Sequence, residues 1–189
     1  MIVARILSPV NSLGPGNRVG IWTQGCKKRC KECMSPELQP FTGTETEEGL
    51  LSDMLNKIAE KNNCKGITIS GGEPFEQTPA LLKLLKLLRN NFEDVLVYTG
   101  FELLNIQNGL HGEAARLCLS YIDVLIDGEY VDELNSGDCV LRGSSNQKIH
   151  FFNKKLFPSY EEYMKKGRIL QSFVHDKETI VTGIKNKGD

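Results

Sequence analysis

The chain lacks the marks of several protein classes. No apolar run approaches the roughly 20 residues needed to span a bilayer, so no membrane association is expected. The opening stretch, MIVARILSPVNS, has no long apolar core of a signal peptide, which makes the cytoplasm the expected compartment. A basic excess is also missing: 23 Lys and Arg against 24 Asp and Glu give a net charge of −1, which argues against a nucleic-acid partner. Internal repeats and low-complexity tracts are absent. With 189 residues and 40% hydrophobic content, one globular domain over 1–189 is the expectation.

Six cysteines stand out against this background. Cys26, Cys30 and Cys33 fall within eight residues, whereas Cys64, Cys118 and Cys139 are scattered. A disulfide framework suits smaller, secreted, loop-rich chains. The cluster therefore reads as a metal site. Structural zinc wants four ligands, usually as two close pairs, and neither a second pair nor a grouping of the three His residues completes the set. Three thiolates suit an iron–sulfur cluster with one iron left open for chemistry. Spacing alone keeps iron–sulfur, zinc and coincidence all open. Cys64 and Cys118 read as small buried residues, and Cys139, in Ser-Gly-Asp-Cys, as exposed.

Strands are expected at 19–25, 66–70, 94–99 and 122–127. They alternate with helices at 46–62, 79–90 and 112–120, a pattern of right-handed βαβ units around a parallel sheet. The first helix presents Leu50, Leu51, Met54, Leu55 and Ile58 on one face; the second carries a broad leucine face that reads as core. Beyond Gly128 the alternation weakens to a short helix at 159–166 and a hairpin of 169–174 with 179–184 around His175–Glu178. The tail from Ile184 reads as frayed. In parallel α/β folds, function gathers after the C-terminal ends of the strands. There lie the cysteine loop, the Ser70-to-Pro74 turn, Tyr98-Thr99-Gly100 and Asp127-Gly128-Glu129.

These residues also resemble a family. Cys26-Lys-Lys-Arg-Cys30-Lys-Glu-Cys33 has the C-x3-C-x2-C spacing of the radical S-adenosylmethionine (radical SAM) superfamily, and Gly71-Gly72-Glu73-Pro74 looks like its GGEP strand-end motif. Gly14-Pro-Gly16, Arg18 and Gln24-Gly25, followed by Asp127-Gly128 and Arg142-Gly-Ser-Ser-Asn-Gln147, are most similar to the anaerobic ribonucleoside-triphosphate reductase activating group of glycyl-radical-enzyme activases. The resemblance covers about residues 1–150. Where many relatives carry an aromatic or glycine before the third cysteine and His-Asn after it, this chain has Glu32 and Met34-Ser35.

The resemblance implies a [4Fe-4S] cluster on Cys26, Cys30 and Cys33, with S-adenosylmethionine on the open iron. It places Ser70, Gly71, Gly72 and Glu73 at the cofactor's amino group, main chain around Glu32 and Met34 beside its adenine, and Thr99 and Asp127 among the other pocket groups. Arg142 pairs in this picture with the cofactor carboxylate or with the partner. The implied activity is reductive cleavage of S-adenosylmethionine to a 5′-deoxyadenosyl radical, which installs a glycyl radical on a partner such as anaerobic ribonucleotide reductase, with a flavodoxin-type reductant. The alternatives are a radical SAM enzyme acting on a different small molecule or peptide, and a non-catalytic iron–sulfur or zinc module. The chain is too short for an eight-unit barrel of about 250 residues. The expected fold is therefore α/β: a partial, open (β/α) barrel of the radical SAM type, core about 1–150, with a C-terminal hairpin extension at about 151–189. The bland role for that hairpin is to close the open sheet edge; the alternative is that it reshapes the partner site, with a target other than ribonucleotide reductase.

Overall fold

Four apolar runs become the parallel centre of a six-stranded sheet. The structure is a computed structural model and describes residues 1–175 and 178–187. The strands follow chain order: β1 (Val3–Val10), β2 (Arg18–Thr23), β3 (Gly66–Gly71), β4 (Asp94–Tyr98), β5 (Val124–Asp127) and β6 (Lys148–Phe151). β2 to β5 are mutually parallel, while β1 and β6 are antiparallel edges. Sequential parallel strands with right-handed crossovers put every crossover helix on one face. Those helices are α1 (Glu48–Asn62), α2 (Thr78–Leu88), α3 (Leu103–Gln107) and α4 (Glu113–Cys118).

Between helices and sheet lies the main core, where Leu51 and Leu55 of α1 and Leu81, Leu84, Leu85 and Leu88 of α2 meet Ile21, Ile69 and Val97. The buried stripe of α1 is narrower than expected: Leu50 is 67% and Met54 41% exposed, because the helix packs on its Leu51–Leu55–Ala59 side. The chain's later segments cover the opposite face. Tyr160 and Tyr163 from α5 (Phe157–Met164) pack on Leu96, Val124 and Ile126. Trp22 packs there with Leu13, Leu38 and Ile184.

The hairpin, β7 (Gln171–His175) with β8 (Glu178–Thr182), forms a two-stranded sheet of its own. The expected edge-closing role is thus corrected: it pairs with neither β1 nor β6, and residues 176–177 of its connection lie outside the described residues. It docks instead on the loop after β1. Gln171 Nε2 donates to the Pro9 carbonyl, and the Ser12 and Thr182 hydroxyls are 2.8 Å apart. Nor is the tail loose at its start, since Ile184 is buried and the Lys185 carbonyl accepts from Arg168 Nη1. Cys64 and Cys118 are buried; Cys139, expected exposed, is buried too, and its carbonyl accepts from Arg168 Nε.

Arg18 sits at the N-terminal end of β2, away from the strand ends that carry the loops of interest. Fully buried, it forms a 2.5 Å ion pair with Asp94 and donates to Thr68 and the Ile67 carbonyl. Tyr160 donates to the same carboxylate. This network ties α5 to the base of the sheet. Among the described residues no helix is long and apolar enough to cross a membrane.

Candidate functional site

The parallel register of β2 and β3 sets Thr23 beside Gly71, so the cysteine loop and the Gly-Gly turn leave the sheet side by side. Two backbone bonds hold them together: Gly72 N–H donates to the Thr23 carbonyl at 2.8 Å, and Glu73 N–H to the Gly25 carbonyl at 2.9 Å. A Cβ on Gly71 would fall within 3 Å of the Thr23 backbone nitrogen and oxygen; on Gly72 it would meet the Gly25 carbonyl as closely. The glycines are therefore required by main-chain packing.

The cysteine loop closes on itself, with Gly25 and Cys26 N–H groups donating to Leu38 and Gln39 carbonyls at 2.8 and 3.0 Å. Gln24 braces the closure through Pro40. Inside the loop Arg29 and Glu32 take left-handed φ values of 55° and 53°. The nearby backbone N–H groups of Lys28 and Arg29 act to lower the pKa of Cys26, and that of Tyr130 to lower the pKa of Cys30. Such donors favour thiolate. Burial outweighs them in the free thiols and raises both pKa values, aided by Glu73 near Cys26 and by Glu129 near Cys30, whose pKa is pushed up to about 11.

Glu73 is 1% exposed, and its carboxylate takes three hydrogen bonds. It accepts from Phe75 N–H at 3.0 Å, Thr99 Oγ1 at 2.8 Å and Gly100 N–H at 2.7 Å. It thereby fastens the end of β3 to the end of β4. Burial raises its pKa against the pull of those donors and of Lys28. Lys28 itself lies over the Phe101 ring, 4.9 Å from the centroid.

A cavity of about 520 Å³ opens between these loops, within the usual range for a small-molecule site. Nine of the twelve residues singled out from the sequence line it: Cys26, Cys30, Cys33, Met34, Ser70, Gly71, Gly72, Glu73 and Thr99. Glu32, Asp127 and Arg142 are not among its walls. Asp127 accepts from Leu103 N–H at 2.7 Å and lies 2.9 Å from His150 Nε2, without the alignment of a hydrogen bond. Arg142 donates to the Gln147 carbonyl, and its own carbonyl accepts from Arg168.

The walls also include Lys28 and Tyr130, Tyr98 and Gln147 from segments already noted, and residues 179–185 of the hairpin. Lys28 had a signal, its place inside the cysteine loop; the last group had only its place in the C-terminal extension. The Tyr98 hydroxyl is buried without a partner among the described residues.

The donor set fits a cluster. Three thiols share one cavity with the polar main chain of the Gly-Gly turn. Among the described residues no three His, Cys, Asp or Glu side chains converge as the ligands of a single ion do. Cys26, Cys30 and Cys33 all line the one cavity, and three thiolates with an open position suit an iron–sulfur cluster.

A family model described as a 4Fe-4S single cluster domain matches residues 12–150. The anaerobic ribonucleoside-triphosphate reductase-activating protein of Escherichia coli K12 is 33% identical over 147 residues, 72% of this chain and 90% of that protein. Its namesake in Haemophilus influenzae is 30% identical over 145 residues, 74% and 90% of the two chains. The pyruvate formate-lyase-activating enzyme of Staphylococcus epidermidis is 27% identical over 173 residues, covering 89% of this chain and 68% of that one. The family match ends before α5 and the hairpin.

Proposed function

The chain belongs to the 4Fe-4S single cluster domain family and to the anaerobic ribonucleoside-triphosphate reductase-activating proteins within it, and from that premise we propose that it installs a glycyl radical on an anaerobic ribonucleotide reductase. The observation that carries the reading is the meeting of three thiols and the Gly-Gly-Glu turn in one cavity. When bound, the [4Fe-4S] cluster and S-adenosylmethionine supply one-electron reductive cleavage to a 5′-deoxyadenosyl radical that takes hydrogen from the partner's glycine.

In this reading Cys26, Cys30 and Cys33 hold the cluster, and the N–H groups of Lys28, Arg29 and Tyr130 steady two of the thiolates. The carboxylate of Glu73 already has three donors, so the cofactor's ammonium falls to main-chain carbonyls of the turn, and Glu73 keeps that turn in place. Main chain near Met34 borders the adenine. Asp127 positions the start of α3 and Arg142 the loop at Gln147; both act from behind the wall. Chain-order strands with helices on one face agree with a partial radical SAM barrel, its second face left to the partner and to the C-terminal extension. A flavodoxin-type reductant and a cytoplasmic setting complete the proposal.

Anaerobic reconstitution followed by dithionite and S-adenosylmethionine tests it. Wild type should yield 5′-deoxyadenosine, Cys30→Ala should yield none, and the reductase of the same organism should acquire a glycyl-radical EPR signal. A loaded cluster that releases no 5′-deoxyadenosine overturns the reading.

A further inference from the structure

The wall made by the C-terminal hairpin has an unusual form. Residues 179–185 all line the cavity in an unbroken run, while none of the described residues of β7 does. A strand that turns one face to a cavity lines it with alternate side chains, because successive side chains point to opposite faces. Here both sets take part. Ile180 and Thr182, opposite Phe173 and Gln171, lie on the face turned to the body of the protein, where Phe173 packs near Trp22 and Thr182 meets Ser12. Thr179 and Val181, opposite Val174 and Ser172, lie on the outer face, where Val174 is 80% and Val181 42% exposed. What β8 offers the cavity is therefore its edge.

That edge is open. Among the described residues β8 pairs only with β7, and none of its backbone groups bonds to another segment. In an antiparallel pair every second residue turns its N–H and C=O away from its neighbour. A row of unpaired main-chain groups is a template for one kind of ligand, an extended polypeptide. The edge shares its cavity with Cys26, Cys30 and Cys33, so a strand laid along it runs past the cluster site. Proteins named for activating another enzyme need such a segment of that enzyme in this place.

We propose that the partner enzyme's glycine-bearing segment binds as a third strand on β8, recognised by its main chain. The hairpin thereby becomes the substrate-docking element of the site. The proposal rests on the activase reading and deepens it. Arg168 fixes the edge in position: it donates to Lys185 at the end of the hairpin and to Asn135, Cys139 and Arg142 in the facing loop.

The test uses the reconstituted full chain with S-adenosylmethionine and a labelled synthetic peptide spanning the target glycine of the same organism's anaerobic ribonucleotide reductase. A series of peptides, each N-methylated at one amide, is titrated by fluorescence anisotropy. Strand addition predicts a period of two: alternate N-methylations weaken binding tenfold or more and the intervening ones by less than threefold. Alternate amides among residues 179–182 gain hydrogen-exchange protection when the parent peptide binds. A flat N-methyl profile overturns the proposal, as does a parent peptide that fails to compete with the intact reductase. A concentration-dependent dimer that the peptide does not dissolve assigns the edge to a second copy and likewise overturns it. Release of 5′-deoxyadenosine without peptide is scored separately, so failure of the activase reading and failure of strand addition are told apart.

Discussion

Gly71→Ala probes whether main-chain packing at the Gly-Gly turn holds the site together. Gly71 has φ +116°, and an added Cβ would lie 2.7 Å from the Trp22 carbonyl carbon as well as against the backbone of Thr23. These atoms belong to the paired strand and cannot step aside without opening the β2–β3 ladder. Holding a non-glycine residue in that conformation costs about 1–3 kcal/mol. Overpacking adds about 1–3 kcal/mol, for about 2–6 kcal/mol together. For a chain of this length each kcal/mol lowers Tm by about 2–4 °C, so a fall on the order of 10 °C is expected.

Gly16→Ala is the control. Its φ is +71° with nothing within 4 Å of the new Cβ, which leaves only the conformational cost of about 1–2 kcal/mol. Thermal unfolding of the two apo variants isolates the clash. Iron and sulfide content after reconstitution reports the site, because Thr23 lies three residues before Cys26 and its displacement carries the cysteine loop with it. If Gly71→Ala melts within 2 °C of Gly16→Ala and loads a full cluster, the close approach is not what the glycine is for.

Three further outcomes are expected. Asp94→Ala strands the fully buried Arg18 guanidinium and should cost about 3–5 kcal/mol, whereas Tyr160→Phe, which removes one hydroxyl from the same carboxylate, should cost about 1.5–3 kcal/mol; denaturant titration of both and of the double variant checks the order and the coupling. Glu73→Gln should destabilise by about 1–3 kcal/mol, as an amide offers donors where the carboxylate accepts, and hydrogen exchange at Gly100 should quicken. Glu47 caps α1, and its hydrogen bond to Lys83, then those from Leu50 and Gly49 N–H, lower its pKa from 4.5 to about 2. Its stabilisation is therefore complete above pH 4.5 and disappears as pH falls through about 2. The Tm gap between wild type and Glu47→Ala should hold steady from pH 7 to 5 and narrow below that, as followed by circular dichroism.

How much of this could be read from the sequence depended on what each segment packs against. β2 to β5 are covered on both faces and show as continuous apolar runs, and α2 showed its leucines. β6 is four residues with only intermediate burial along Ile149–Phe151, and β1 is half-buried along most of its length, so neither carries a pattern. Leu50 and Met54 satisfied the helical period yet face outward, since periodicity cannot say which flank of a stripe finds a partner. Cys139 sits among polar neighbours in sequence yet is buried, and its carbonyl accepts from Arg168, 29 residues away. The cysteine triplet and the Gly-Gly turn were legible because close spacing and main-chain approach are local constraints. Glu73 and Asp127 were legible as polar residues at strand ends and Arg142 as a loop arginine, but most of their working partners come from elsewhere in the chain.

The C-terminal hairpin shows the same limit at its sharpest. Its alternation marks 169–174 and 179–184 as strands, and an isolated pair of strands near an open sheet suggests edge closure. Whether a strand gives a cavity its face or its edge is decided by the angle at which the hairpin docks. That angle is set by Gln171 on Pro9, Thr182 beside Ser12 and Arg168 on the facing loop, contacts with no sequence signature. The family model stops at residue 150; it spans the thiols and the turn, while the later hairpin supplies a wall. Division of labour of that kind separates chemistry from choice of partner: altering residues 179–185 should change which polypeptide is admitted and leave the cysteine loop as it is.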